Sequence, residues 1–117
     1  SWQLRVEAAF TIGKLRIVQL EAPLIHAVSD LYWQVRIAAV RSLGLLKSHL
    51  AVAHLTDNFK HEISNLRKEV ALALGEIGTA EAQKLLEQHQ NDPDPEVRKA
   101  IRIGLNQIGE VKYANQT

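Results

Sequence analysis

One pattern recurs four times along this chain at an unbroken spacing of 31 residues. The copies are marked by arginines that each follow a branched apolar residue: Arg5, Arg36, Arg67 and Arg98. Within each copy the apolar residues recur at steps of four, four and three, which places them on one face of an α-helix. A fixed period of this size is typical of stacked repeats, in which neighbouring units share a continuous core.

A shorter amphipathic segment precedes each of the three later copies. These segments are predicted at roughly 21–29, 50–60 and 80–90. The repeating unit is therefore predicted to be two helices joined by a turn, with the arginine near the start of the second helix. The chain opens on a second helix and contains about three and a half units, which predicts an all-α solenoid over residues 1–109.

Glycine and proline support this division of the chain. Pro23 and Pro95 suit first helical turns, where the missing N–H costs least. Gly78 and Gly109 are predicted to end second helices. Equally spaced glycines inside second helices predict close approach of a neighbouring helix, because an internal glycine otherwise costs about 1 kcal/mol; these are Gly13, Gly44 and Gly75.

The two ends of the chain differ in the sequence pattern. Arg102 and Asn106 replace small residues of the other copies, which is typical of a terminal repeat. We therefore expect the array to stop near Gly109 and residues 110–117 to form a weakly ordered tail. Because the chain lacks methionine and begins within the repeat, we expect it to be a fragment of a longer array or protein.

Composition removes several functional classes. The 117 residues carry a net charge of +1, far from the basic excess of a dedicated nucleic-acid binder. The chain has no cysteine, which excludes disulfides and thiolate metal sites within it. It contains neither a long apolar span nor a signal segment, so we expect a cytoplasmic location and no membrane contact.

The repeat resembles the HEAT-like repeat named after phycobilisome (PBS) lyase subunits. The resemblance is carried by the stretch from Val35 to Val40 followed by Leu43-Gly44, by the stretch from Leu74 to Gly78, and by the turn from Asp92 to Ala100. It covers residues 1 to about 109. It implies a right-handed α-solenoid of HEAT-like helix pairs, and it implies little about function, because one fold hosts many activities.

The same resemblance implies a structural role for the arginines. In HEAT-like stacks the arginine at the start of a helix pairs with a turn aspartate of a neighbouring unit. Asp30 and Asp92 hold that position here, whereas His61 occupies it between them. We expect a structural ladder made of Arg5, Arg36, Arg67, Arg98, Asp30 and Asp92, with Glu62 or Asp57 substituting in the third unit.

The resemblance also places the second helices along the concave surface of the stack. The positions two residues removed from the core set then form a groove that mixes apolar and charged residues, a mixture that suits a protein or peptide partner. Candidate partner-binding residues are Val6, Phe10, Ile37, Arg41, Lys68, Leu72, Lys99 and Ile103. Phe10 and Arg41 are the strongest candidates, although packing between repeats also explains part of this set.

No catalytic, cofactor or metal site is predicted. Some HEAT-like proteins are iron-dependent hydroxylases whose His-Glu pairs directly follow the repeat arginine. No histidine occupies those positions here, and His61-Glu62 falls in a turn. One such pair does not supply the several ligands that this metal requires.

We therefore predict a non-catalytic scaffold that binds a protein or peptide partner. Two alternatives remain open: a subunit or relative of a bilin lyase acting on phycobiliproteins, and binding of nucleic-acid phosphates through Arg41, Lys68, Lys99 and Arg102. The first helix would expose an apolar face, which predicts covering by preceding repeats, another domain or a second copy of the chain.

Overall fold

The computed structural model describes residues 1–116, and within that range it contains seven α-helices and no β-strand. Three short 3-10 turns interrupt the connections, at Val18–Leu20, His49–Ala51 and Asn58–Lys60. The helices are α1 (Trp2–Lys14), α2 (Glu21–Ala27), α3 (Trp33–Leu45), α4 (Val52–Leu55), α5 (Ser64–Ile77), α6 (Ala80–Gln88) and α7 (Pro95–Gln116). The predicted all-α stack of helix pairs is confirmed.

Two layers make up the stack. The second helices α1, α3, α5 and α7 pack side by side in chain order, and this packing supplies most contacts between elements. The first helices lie on one side of that row, with α2 against α3 and α6 between α5 and α7. The first segment of the third unit differs from the prediction, because α4 is only four residues long and is flanked by 3-10 turns.

The second helices approach one another closely at small residues. A methyl group added at Gly75 would clash with the backbone of Gly104, and one added at Gly13 would clash with Ser42. At Gly44 the nearest atom would be the Ala73 Cα at 3.0 Å. The predicted close approach is therefore confirmed for all three equally spaced glycines. The backbones approach most closely where α5 crosses α7, at Gly75 and Gly104.

The core lies between the two layers. Val35, Leu66 and Val97, which share one position of the repeat, are each at most 1% exposed. Their equivalent in the first unit, Leu4, is 70% exposed, because no first helix precedes α1 within residues 1–116. The structure thus exposes the apolar face of α1, and the expectation that another element covers it stays a prediction.

A residue just beyond the end of each of helices α1, α3 and α5 has a left-handed backbone conformation. Gly78 has φ +72° at the end of α5, as predicted for a terminal glycine. The positions 31 and 62 residues earlier hold Lys47 and Arg16, with φ +52° and +55°. The left-handed turn therefore occurs in each of these three repeats, even where the residue is not glycine. A prediction that relies on glycine alone does not find the turns at Arg16 and Lys47.

The C-terminal boundary differs from the prediction. Helix α7 continues through Gly109 to Gln116, so residues 110–116 are helical rather than a weakly ordered tail, and Gly109 does not end the helix. Thr117 lies outside the described residues. Residues 110–116 contain no proline, and the Lys112 ammonium donates a hydrogen bond to Gln83 on α6, which supports the extension.

Two glycine substitutions should change stability in opposite directions. Gly78→Ala forces a side chain into the left-handed region and should lower the free energy of unfolding by about 1 kcal/mol. Gly109→Ala replaces a mid-helix glycine with no atom near the new methyl group, so it should raise stability by about 1 kcal/mol. Urea unfolding measures both, and a shift in the same direction for the two variants would contradict the assigned backbone conformations.

Candidate functional site

The second helices form an inner surface on the side of the row away from the first helices. On α5, Lys68 follows the core residue Leu66 by two positions, which is about 200° of helical rotation. None of the candidate residues is fully buried, and they are all half-buried or exposed: Val6, Phe10, Ile37, Arg41, Lys68, Leu72, Lys99 and Ile103. We call this surface, with the flanking positions one turn away, the inner face.

Arg41 lies near the centre of the inner face and joins three helices. Its guanidinium donates to both carboxylate oxygens of Glu69 on α5, at 2.7 and 3.4 Å. It also lies over the Phe10 ring of α1, 5.4 Å from the ring centroid. The hydrogen bond to Glu69 raises the pKa of Arg41 although burial opposes it. The side chain therefore contributes to packing between repeats while remaining about half exposed, at 48%.

Two lysines of the inner face have no ion-pair partner among residues 1–116. Lys68 on α5 is half-buried and Lys99 on α7 is exposed, and they occupy the same position of the repeat. Arg41, by contrast, is neutralised by Glu69. The predicted row of cations is thus reduced to the two lysines and the exposed Arg102.

Glu76 is half-buried at the edge of the inner face, against Gly44 of the neighbouring helix. Burial raises the pKa of this carboxyl group, while the cations Lys47 and Arg16 lower it to a smaller extent. Arg41 and Glu69 also shift the pKa of this carboxyl group, whereas Lys99 is not among the groups that shift it.

A row of amide side chains flanks the charged and apolar residues, and sequence reasoning missed it. Gln3, Gln34 and Asn65 share one position of the repeat, three residues before Val6, Ile37 and Lys68. The Gln34 side-chain oxygen is buried and accepts no hydrogen bond within the described residues. The 31-residue spacing of these amides in the sequence could have revealed the row.

The arginines of the ladder lie at the turns, away from the centre of the inner face. Arg5 donates to both Asp30 oxygens at 2.7 and 3.1 Å, and Arg67 donates to both Asp92 oxygens at 2.8 and 3.1 Å. Each aspartate follows its arginine by 25 residues. Arg98 instead donates to backbone carbonyl oxygens, those of Asp92 and Pro93.

The third unit does not use the predicted substitutes Glu62 or Asp57. Arg36 donates to the Asn58 side-chain oxygen at 3.2 Å and to the Asp30 carbonyl oxygen at 2.6 Å. Asn58 is buried by the 3-10 turn that it begins, and its amide donates to the Val28 carbonyl oxygen. A neutral amide therefore replaces the aspartate because the local turn brings it, and not residues 57 or 62, to the guanidinium.

Comparison with known proteins agrees with this architecture. The family model described as HEAT repeats matches residues 1–68 and again residues 59–115. The chain belongs to the HEAT repeat family. No curated protein sequence has a significant match to this HEAT repeat chain. The narrower resemblance to PBS lyase repeats stays a prediction.

Among solved structures, the HEAT repeats are similar to human deoxyhypusine hydroxylase in complex with glycerol. The two share 25% sequence identity with a TM-score of 0.73. The match covers 77% of this chain and 32% of the hydroxylase chain, so this HEAT array spans about one third of that structure.

The described HEAT repeats hold no cluster of three or more His, Cys, Asp or Glu side chains arranged to bind a metal ion. The His61 ring nitrogen Nδ1 accepts a hydrogen bond from the Ile63 N–H, and the His61 carbonyl oxygen accepts one from Arg67. His61 therefore serves the turn before α5. Within residues 1–116, no helix is both long and apolar enough to cross a membrane.

The Arg67–Asp92 pair predicts a pH-dependent stability. Burial raises the pKa of Asp92, but the hydrogen bonds from Arg67 and the Asp94 N–H outweigh it and hold the pKa below its ordinary value. Asp92→Asn should cost about 1–3 kcal/mol at pH 7, because a largely buried guanidinium loses its counter-charge. Since the folded-state pKa is lowered, this difference should persist above about pH 4 and shrink as the pH falls further.

Urea unfolding of wild type and Asp92→Asn at pH 7 and pH 3 measures this effect. Asp57→Asn is the matched control, because the exposed Asp57 side chain makes no hydrogen bond or ion pair within the described residues. It should change stability by less than about 0.5 kcal/mol at both pH values. A cost for Asp92→Asn that stays constant between pH 7 and pH 3 would contradict the assignment.

Proposed function

We propose that this chain is a non-catalytic binding module that presents its inner face to a partner protein or peptide. The observation that carries the proposal is the combination of exposed apolar and charged groups at one position of adjacent helices. Phe10 is 37% exposed and Ile103 is 47% exposed, with Arg41 and Leu72 between them. Aromatic residues and arginine are the residue types that most often dominate binding energy at protein interfaces.

The architecture supports this choice. HEAT repeats generally serve as protein-interaction scaffolds, and stacked helix pairs create extended surfaces along one side. The core between the layers buries many large apolar side chains, and Val6, Ile37 and Leu72 pack partly against it. Phe10 and Ile103 are exposed and are therefore available for a partner.

Binding of nucleic-acid phosphates fits the inner face less well. Strong phosphate binding uses several unpaired cations, and a DNA-binding protein with steep salt dependence makes about 6–10 phosphate contacts. Arg41 is already paired with Glu69, which leaves Lys68, Lys99 and Arg102 in the proposed row. No feature of residues 1–116 favours the bilin-lyase alternative, so it stays a prediction.

Affinity capture from the native host tests the proposal with two matched double variants. Phe10→Ala with Ile103→Ala removes exposed apolar groups from the inner face. Leu31→Ala with Leu50→Ala removes exposed apolar groups elsewhere. Leu31 lies in a turn and is 94% exposed, and Leu50 lies beside the first helices and is 68% exposed. We expect at least one captured protein to be lost, by tenfold or more, only with the inner-face variant.

Circular dichroism is used to show that both variants keep their helices. We expect this result because the substituted residues are exposed. Capture of the same proteins at the same level by wild type and by both variants would contradict the inner-face assignment. Loss of the same protein with the Leu31/Leu50 variant alone would place the binding surface outside the inner face.

A further inference from the structure

The chemistry of the inner face also indicates what kind of partner segment it accepts, and this inference rests on the proposed function. Charge on the inner face is unevenly distributed. The first two second helices contribute Val6, Phe10 and Ile37, which are apolar. At the position of Val6 and Ile37, the last two contribute Lys68 and Lys99, neither of which has an ion-pair partner in the described chain.

No carboxylate of the inner face forms an ion pair with these lysines within the described residues, although Glu96 lies one turn before Lys99 on α7. Glu69 is buried and accepts its hydrogen bonds from Arg41. Glu76 lies against Gly44 on α3, and Lys47 and Arg16 are the cations that lower its pKa most. At the repeat position of Val6 and Ile37, α1 and α3 therefore present apolar side chains, and α5 and α7 each present a lysine without an ion-pair partner.

The amide row supplies a second, independent feature. The buried Gln34 side-chain oxygen has no donor within residues 1–116, and buried polar atoms are normally hydrogen-bonded. That oxygen is closed off from a partner, but Gln3 and Asn65 continue the row on either side of it with exposed side chains, and Glu96 holds the same position on α7. Amide side chains both donate and accept, so they match the alternating N–H and C=O groups of an extended peptide backbone.

The spacing of the helices agrees with an extended backbone. Packed helices lie about 8–10 Å apart. An extended segment in the polyproline II conformation advances about 3.1 Å per residue and has three residues per turn, so side chains three positions apart lie on the same side. A segment that crosses the row of second helices therefore places about every third residue over a new helix. Two acidic residues separated by three positions would then reach Lys68 and Lys99 together.

We propose that the inner face binds an extended acidic segment of a partner protein that crosses α1, α3, α5 and α7. Apolar side chains at one end of the segment contact Val6, Phe10 and Ile37. Two acidic side chains at the other end pair with Lys68 and Lys99. The exposed amides of Gln3 and Asn65 hydrogen-bond the segment's backbone.

Selection from a displayed library of random dodecapeptides tests this inference. The library is selected on the wild-type chain, and the tightest peptide is then measured by fluorescence anisotropy against two charge-reversal variants. Lys68→Glu with Lys99→Glu reverses the proposed contacts. Lys84→Glu is the matched control, because Lys84 is exposed on α6 in the other layer. A single-stranded thymidine 20-mer serves as the nucleic-acid probe.

We expect selected peptides to combine apolar residues with two acidic residues about three positions apart. Binding should weaken by tenfold or more in the Lys68/Lys99 variant and should stay within twofold of wild type in the Lys84 variant. The affinity of the wild-type chain should fall with rising salt. Gln3→Leu with Asn65→Leu should weaken binding at high salt as well, because the contacts of these amides are not ionic.

The remaining outcomes overturn the inference in distinguishable ways. Peptides that require Phe10 and Ile103 but lack acidic residues would leave the proposed function standing and refute the acidic segment. Equal loss in the Lys84 variant would show non-specific attraction by charge. Binding of the thymidine 20-mer through Lys68 and Lys99, without any selected peptide, would refute both the acidic segment and the protein-binding function.

Discussion

Close contact between neighbouring second helices determines the rest of this structure. At the crossing of α5 and α7, Gly75 and Gly104 leave no room for a methyl group, and similar contacts join α1 to α3 and α3 to α5. Because the backbones meet directly, the side chains one face away are held at a short, regular spacing. This spacing allows Arg41 on α3 to reach both Phe10 on α1 and Glu69 on α5.

Polar contacts then fix the orientation of each unit. Arg5 and Arg67 hold the turn aspartates of the next unit with two hydrogen bonds each, and Arg36 and Arg98 hold turn carbonyl oxygens. The ladder therefore stabilises the turns, while the inner face retains exposed apolar side chains and unpaired lysines. The ladder and the proposed binding surface therefore use different positions of the same second helices.

The periodicity of the sequence made much of the helix packing predictable. The 31-residue spacing placed the second helices, the core positions and the close contacts at Gly13, Gly44 and Gly75, because these depend only on which helix face a residue occupies. It also grouped the candidate residues that the structure places on one face. Family resemblance, rather than periodicity, suggested that an arginine such as Arg67 pairs with a turn aspartate such as Asp92.

Features that depend on local departures from the repeat were not predictable. Asn58 reaches Arg36 only because a 3-10 turn begins there, and no pattern in the sequence marks that turn. Pairing of Arg41 with Glu69 joins residues 28 apart, which is not the repeat spacing, so the register did not reveal it. The extension of α7 beyond Gly109 involves Lys112 and Gln83, a contact between elements that composition does not show.

Site-specific photo-crosslinking in the native host tests most directly whether the inner face is the binding surface. A photoreactive phenylalanine replaces Phe10 in one variant and Leu50, beside the first helices, in the other. The account predicts a crosslinked partner from position 10 and none of that mass from position 50. Crosslinking of the same partner from position 50 but not from position 10 would contradict it.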